Sequence, residues 1–256
     1  MQTRALILSG YGLNCENETR YAVETAGGKA DVIHINSVIA NPSIFDNYNL
    51  FIIGGGFAHG DDLGSAKVLA NKMKFKLTEP IEQFVRDGKL IMGICNGFQA
   101  LVKLGLLPVP DFSQRVTLTV NDSGKFEDRW VNLKINQSSP CIFTKGMDYV
   151  QLPVRHGEGK LISKDEAEFK FIMENNLHTM QYVNERGELA GYPYNPNGAV
   201  ANIASLCDKT GRIFGTMPHP EAFNHVTNHP YWPFGLVKEP MGVRFFKNAV
   251  DYLYSK

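Results

Sequence analysis

Through the first hundred residues, short apolar runs alternate with longer stretches of helical period. RALILS (4–9) reads as a strand, and NCENETRYAVETAGG (14–28) as a helix with a polar start and a Gly27-Gly28 stop. ADVIHIN (30–36) and NLFIIGGG (49–56) read as two further strands, the second running out into glycines. SAKVLANKMKFKLTEPIEQFVRDG (65–88) has helical period, with a break expected near Pro80 because proline removes a backbone donor. Leu90, Ile91 and Met92 form a short buried strand. Phe98, Ala100, Leu101, Val102 and Leu104 then crowd one face of a helix that Gly105 stops. Strands separated by helices predict a parallel sheet covered on both faces, with ligands held at the C-terminal strand ends. The glycines at 54–56 and Cys95 both fall at such ends, so one crevice should receive them.

From Gln114 the period shortens. RVTLTVND-SGKFEDR-WVNLKIN (115–136) alternates and carries turn residues, which predicts an antiparallel hairpin. DEAEFKFIMENN (165–176) reads as a short helix and HTMQYVN (178–184) as a strand. AVANIASLCDKTGRIFGTMPHPE (199–221) reads as two strands joined by a turn over 208–211. MGVRFFKNAVDYLYS (241–255) closes the chain as an amphipathic helix. Without a repeat, a low-complexity tract or a flexible linker, a single domain over 1–256 is expected.

Composition narrows the function classes. With 256 residues and 43% hydrophobic content, the chain can fill a sizeable core. The 26 basic and 26 acidic residues cancel and form no long run, which argues against nucleic acid or a membrane surface as partner. The apolar stretch near the start, Ala5 through Leu8, is too short for an export signal or a membrane span. A cytoplasmic location is therefore expected, with Cys15, Cys95, Cys141 and Cys207 as reduced thiols. Their spacing lacks C-x-x-C pairs, which argues against a structural zinc site. Cys15, Cys141 and Cys207 read as small packing residues.

Cys95 differs. GICNG has the form Gly-x-nucleophile-x-Gly at an abrupt strand-to-helix corner, where Gly93 and Gly97 keep other side chains away from the bend. A helix N-terminus favours a thiolate, and the Asn96 N–H is aimed where an oxyanion forms beside an attacked carbon. A thiol nucleophile needs a base, and His219 is the best placed of the seven histidines. Pro218 and Pro220 hold it in an extended backbone, so Glu221, two residues on, can reach its ring and orient it. His34 and His178 lie in strand patterns and read as structural; His225 and His229 sit among aromatics and prolines. The prolines keep His219, His225 and His229 off a common helical face, which argues against a metal site there. GGGFAHGDDLGSAK (54–67) lacks the spacing of a phosphate loop, and Gly55 or Gly56 suits a second oxyanion donor better.

Together these pieces resemble the class I, or triad, glutamine amidotransferases, whose pattern is a strand-end glycine pair, G-x-C-x-G-x-Q and a late H-x-E. Within that family, GLNCENET, GGFAHGDDLGSA, GICNGFQALVKLGLLP, RHGEGK and MPHPE resemble the glutaminase components of phosphoribosylformylglycinamidine synthase, between residues 12 and 221. The resemblance implies a flavodoxin-like three-layer α/β sandwich with a mostly parallel central sheet and an antiparallel extension in the second half. It implies Cys95 as nucleophile, His219 as acid/base and Glu221 as orienting group. Gly55, Gly56, Asn96, Gln99, Gly157 and Glu158 would bind L-glutamine, and His156 is a competing base. It further implies ammonia release to a synthetase partner carrying ATP and Mg, with no cofactor in this chain. The NHPYWPFG segment (228–235) reads either as a docking surface for that partner or as an ordinary buried loop. Ala58-His59 stands where the family often has Ser-Tyr, and Ala222 where it often has Arg. Two alternatives remain at this level: a cysteine peptidase-like hydrolase of the same superfamily, and a catalytically silent binding subunit.

Overall fold

The computed structural model describes residues 2–255. Its first half builds four parallel strands: β1 (Arg4–Ser9), β2 (Lys29–His34), β3 (Leu50–Ile53) and β4 (Leu90–Ile94). Hydrogen bonding orders them β2-β1-β3-β4. Every residue of β3 and β4 is buried, as expected where helices cover both faces of a parallel sheet. Helices α1 (Glu16–Thr25), α2 (Ile35–Ala40), α3 (Lys67–Arg86) and α4 (Asn96–Leu104) connect and cover these strands, and α3 packs on α4.

One expectation fails here, and one element is unannounced. Helix α3 runs unbroken through Pro80, because Met73 and Leu77 before it and Ile81 and Phe84 after it are all buried on one stripe. The carbonyl that loses its donor belongs to exposed Lys76, where water can replace the bond. The six-residue α2, which no sequence pattern announced, starts where the His34 ring accepts a hydrogen bond from Asn36 N at 3.2 Å.

The second half extends the same sheet with antiparallel strands. The predicted hairpin over 115–136 does not form. Its first strand, β5 (Val116–Thr119), instead pairs with β8 (Lys160–Ser163) in a separate two-stranded sheet. Its second, β6 (Glu127–Ile135), lies in the main sheet between β7 (Tyr149–His156) and β9 (His178–Val183). Helix α5 (Glu166–Glu174) precedes β9, with Asp165 capping Glu168 N at 2.8 Å. Strands β10 (Ile203–Cys207) and β11 (Ile213–Thr216) are joined as expected, the Asp208 carboxylate accepting from the N–H groups of Thr210, Arg212 and Ile213. Strand β11 lies parallel to β4 and so joins the two halves. The complete order is β2-β1-β3-β4-β11-β10-β9-β6-β7. The closing helix α6 (Val243–Tyr254) buries Phe245, Phe246, Ala249, Val250 and Leu253 and packs on α1.

Candidate functional site

Adjacent strands β3, β4 and β11 all run out at one edge, and the three sequence features of interest follow their C-terminal ends. After β4 the chain turns into α4 within one residue. Cys95 takes φ 51° and ψ −105°, outside the regions open to ordinary side chains. The corner is held because Cys95 N donates to Thr216 O at 2.7 Å. Gly97 is obligatory: a Cβ there would lie 1.9 Å from the Ile53 carbonyl oxygen, so α4 could not approach β3 so closely with any other residue. The Cys95 thiol is 5% exposed and lies 3.6 Å from Arg155 O.

His219 and Glu221 follow β11. The His219 backbone is extended, with φ −99° and ψ 91°, and its N–H is anchored on Pro153 O at 2.9 Å. Glu221 sits in a one-turn 3-10 segment rather than an extended one, yet its Oε1 is 2.6 Å from His219 Nδ1. Both side chains are almost wholly buried. Burial alone would lower the His219 pKa. The Glu221 carboxylate, then the neighbouring Cys95 sulfur, outweigh it and hold the ring well above its ordinary value. Among the described residues, His219 Nε2 has no hydrogen-bond partner. The arrangement can therefore form an imidazolium–thiolate pair and pass a proton between the ring and a group on the sulfur.

His156 is also buried beside His219 but has a different setting. Its Nδ1 lies 3.1 Å from Asn121 Oδ1. Asn121 Nδ2 donates to the carbonyls of Lys125 and His156, which fixes the amide and makes His156 Nδ1 the donor. Burial, then the neighbouring His219, push its pKa down to about 3. A base so weak is poorly matched to accepting a proton near neutrality.

The other predicted residues gather around this pair. Asn96 Oδ1 accepts from Ala58 N at 2.9 Å, while Asn96 Nδ2 donates to Asp61 and to Gln99 Oε1. Gln99 Nε2 in turn donates to Glu158 O. Glu158 accepts from the Ser65 hydroxyl, whose carbonyl accepts from Lys103 Nζ. The loop over 58–66 and the loop over 156–159 are thus clasped across the site. Gly55 lies against the His219 ring, where a Cβ would come 2.8 Å from Cε1. Gly56 instead faces the loop over 10–14, bridged to Leu13, and Gly157 O accepts from Asn121 N at 2.9 Å. At the Ala58-His59 departure, backbone groups carry the hydrogen bonds and the His59 ring stacks on Tyr11 at 4.6 Å, so no hydroxyl is required.

Three further residues reach the site that the sequence reading did not single out. Tyr182, fully buried in β9, lies near Cys95, and burial pushes its hydroxyl pKa upward. Asp61 anchors the Asn96 amide. Cys15 is not an ordinary packing residue: it precedes α1, is partly exposed and brings its sulfur within 4.8 Å of the His219 ring. Its place in the GLNCENET block was the available signal. His225 and His229 stay outside, bound to Thr227 and Gln151. In the segment after them, Tyr231, Trp232, Phe234 and Leu236 are exposed, which excludes the buried-loop reading.

Comparisons with known proteins agree with this picture. Residues 2–253 match the CobB/CobQ-like glutamine amidotransferase domain. A subunit PurQ of phosphoribosylformylglycinamidine synthase from Dehalococcoides mccartyi is 46% identical over 255 residues, covering 98% of each chain. Its namesake from Methanococcus maripaludis strain C7 is 41% identical over 267 residues, covering 97% of each. Among solved structures, a chain of PurLQS from Thermotoga maritima superposes with a TM-score of 0.74 at 29% identity, over 99% of this chain and 100% of that one. With its strained cysteine corner, its buried histidine–glutamate pair and this full-length similarity, the chain belongs to the CobB/CobQ-like glutamine amidotransferase family, alongside the PurQ subunits of phosphoribosylformylglycinamidine synthase.

Proposed function

We propose that the chain is the glutaminase subunit of a phosphoribosylformylglycinamidine synthase, acting from a single domain through Cys95, His219 and Glu221. The observation that carries the reading is a thiol on a strained residue at a helix N-terminus, beside a buried imidazole whose Nδ1 is 2.6 Å from a carboxylate. The Cys95 thiolate adds to the side-chain carbonyl carbon of L-glutamine, and the oxyanion is held by N–H groups of Asn96 and of Gly55 or Gly56. The C–N bond then breaks as His219 gives its proton to the departing nitrogen, leaving a thioester and ammonia. His219 next takes a proton from water, whose oxygen attacks the thioester and releases glutamate. Glu221 keeps Nδ1 protonated throughout.

Gln99 on α4 and Gly157 and Glu158 on the loop over 156–159 are assigned to glutamine binding, Glu158 toward the α-amino group. Ammonia passes to a synthetase partner, where ATP and Mg activate the amide oxygen of formylglycinamide ribonucleotide and ammonia converts it to the amidine. A cytoplasmic location is part of this reading. Among the described residues no helix is long and apolar enough to cross a membrane.

The test measures glutamate release from glutamine by wild type and by Cys95→Ser, with and without a synthetase. Thiol-dependent release, coupled to amidine formation when synthetase and ATP are present, is the expected result. Peptide cleavage without glutamine turnover, or no thiol-dependent turnover in either setting, would overturn it.

A further inference from the structure

Three chemically different metal ligands meet at one point of the site, and one of them has no part in the proposed reaction. The Cys15 sulfur, a ring nitrogen of His219 and a carboxylate oxygen of Glu221 all lie within 4.8 Å of one another. This is the only such grouping of three among the described residues. Two of its members carry buried polar atoms with no hydrogen-bond partner among the described residues, His219 Nε2 and Glu221 Oε2. Such orphaned groups call for a ligand or an ion.

We infer that Cys15, His219 and Glu221 form a binding site for Zn²⁺ that arrests the catalytic histidine. The donor set of one thiolate, one imidazole and one carboxylate is the mixture that zinc accepts, at metal–ligand distances of about 2.0–2.3 Å. Tetrahedral bonds of that length separate ligand atoms by about 3.3–3.8 Å. The present separations, all within 4.8 Å, lie near this range, and the Glu221 carboxylate would give up its 2.6 Å contact with His219 Nδ1 to share the metal. Binding releases to solvent the Cys15 thiol proton and the proton on the ligating His219 nitrogen, and leaves the His219 ring pinned to the metal, unable to carry a proton between sulfur and substrate. Cys95, whose sulfur also neighbours His219, is at hand for the fourth position.

The place of Cys15 suits this role. It stands just before α1, and the turn that holds it meets the glycine loop through Asn14 N to Gly55 O at 3.1 Å and Phe57 N to Gly12 O at 2.8 Å. A Cβ on Gly55 would lie 3.2 Å from the Cys15 sulfur and 3.5 Å from His219 Nδ1, so the glycine leaves the space between these two groups open. Any other residue there would fill the approach.

Metal binding is argued from geometry and stands apart from the glutamine reading; only the inhibition rests on that reading. The experiment therefore has two readouts on the full chain. In the first, Co²⁺ is titrated as a spectroscopic substitute and then displaced by Zn²⁺. Wild type is expected to bind one ion with a thiolate-to-metal charge-transfer band and tetrahedral ligand-field bands, both reduced in Cys15→Ser and Cys15→Ala. In the second, each protein's thiol-dependent glutamine hydrolysis is measured against Zn²⁺ and normalised to its own metal-free rate. Wild type should be inhibited reversibly, with activity restored by a chelator. The Cys15 variants should need at least about tenfold more zinc, the least that loss of even an outer-sphere partner costs. Unchanged zinc sensitivity and unchanged cobalt spectra in both Cys15 variants would overturn the inference, because ordinary capture by Cys95 and His219 would then suffice. Absent turnover with intact, Cys15-dependent cobalt spectra would sink the glutamine reading and leave the metal site standing.

Discussion

His156 and His219 are neighbours buried to the same degree, yet their surroundings drive them in opposite directions. For His219 a carboxylate at 2.6 Å overcomes desolvation and stabilises the charged ring. For His156 an amide oxygen accepts from the neutral ring, and desolvation wins. Each gives a prediction. Glu221→Gln removes the charge that raises the His219 pKa, so the protonated ring is lost at lower pH. The alkaline limb of the kcat/KM profile for glutamine should move to lower pH, and kcat should fall by about 10²–10⁴. At His156 the sign is opposite. The unfolded chain binds a proton there below about 6.5 while the folded chain does not until about 3. The folded state's advantage is present above pH 6.5 and is lost as pH falls toward 3. Urea denaturation from pH 6.5 to 4.5 should show wild type losing up to about 1.4 kcal/mol per pH unit more than His156→Asn. Asparagine keeps a donor for Asn121 but cannot titrate. Equal slopes would show that His156 is not held neutral.

Between elements, the site depends on how closely α4 can approach β3. The Ile53 carbonyl occupies the space of a Gly97 side chain, and this contact is backbone against backbone, with no rotamer to yield. Gly97→Ala is expected to cost about 2–3 kcal/mol or more, lowering the melting temperature by about 4–12 °C, and to abolish glutamine hydrolysis by moving Cys95. A stable, active variant would contradict the account of the corner. This corner was legible in the sequence because its constraint is local: one strand, one bend, two glycines. The histidine–glutamate contact was legible for the same reason, being two residues apart. What escaped depends on distant partners. Strands β5 and β6 were recognisable, but nothing local says that β5 pairs with β8 while β6 crosses to β9. Strand β7 was hidden by Pro153 in its middle, a residue tolerated there because β7 is the sheet's edge. Pro80 misled for the complementary reason, since tertiary burial on both sides of it overrode local chemistry. Cys15 lies some eighty residues from Cys95 and two hundred from His219, so only the folded chain could bring it to the site.

Across the whole molecule, the proposed active site is closed. Cys95 is 5% exposed and His219 2%, which leaves glutamine no direct path to the sulfur. The closure is held by the Ser65–Glu158 hydrogen bond, with Lys103 fastening the Ser65 carbonyl from α4. Glu158 is thus occupied by a neighbouring loop at the position assigned to the substrate's α-amino group. Admission of glutamine must break that bond, and a hydrogen bond to a charged group contributes about 1.5–3 kcal/mol. Removing it by Ser65→Ala should raise the population of the open form, and with it the partner-free rate of glutamate release, by about tenfold or more, since each 1.4 kcal/mol is a factor of ten. The synthetase, by this argument, supplies the same opening through its own contacts. The rate at saturating synthetase should then be the same for wild type and Ser65→Ala, so the variant narrows the ratio between partnered and unpartnered rates without altering its upper end. Steady-state glutamate release measured across a synthetase titration separates the two possibilities. A Ser65→Ala chain slowed in both states would mean that the serine acts on bound glutamine and that closure is maintained elsewhere.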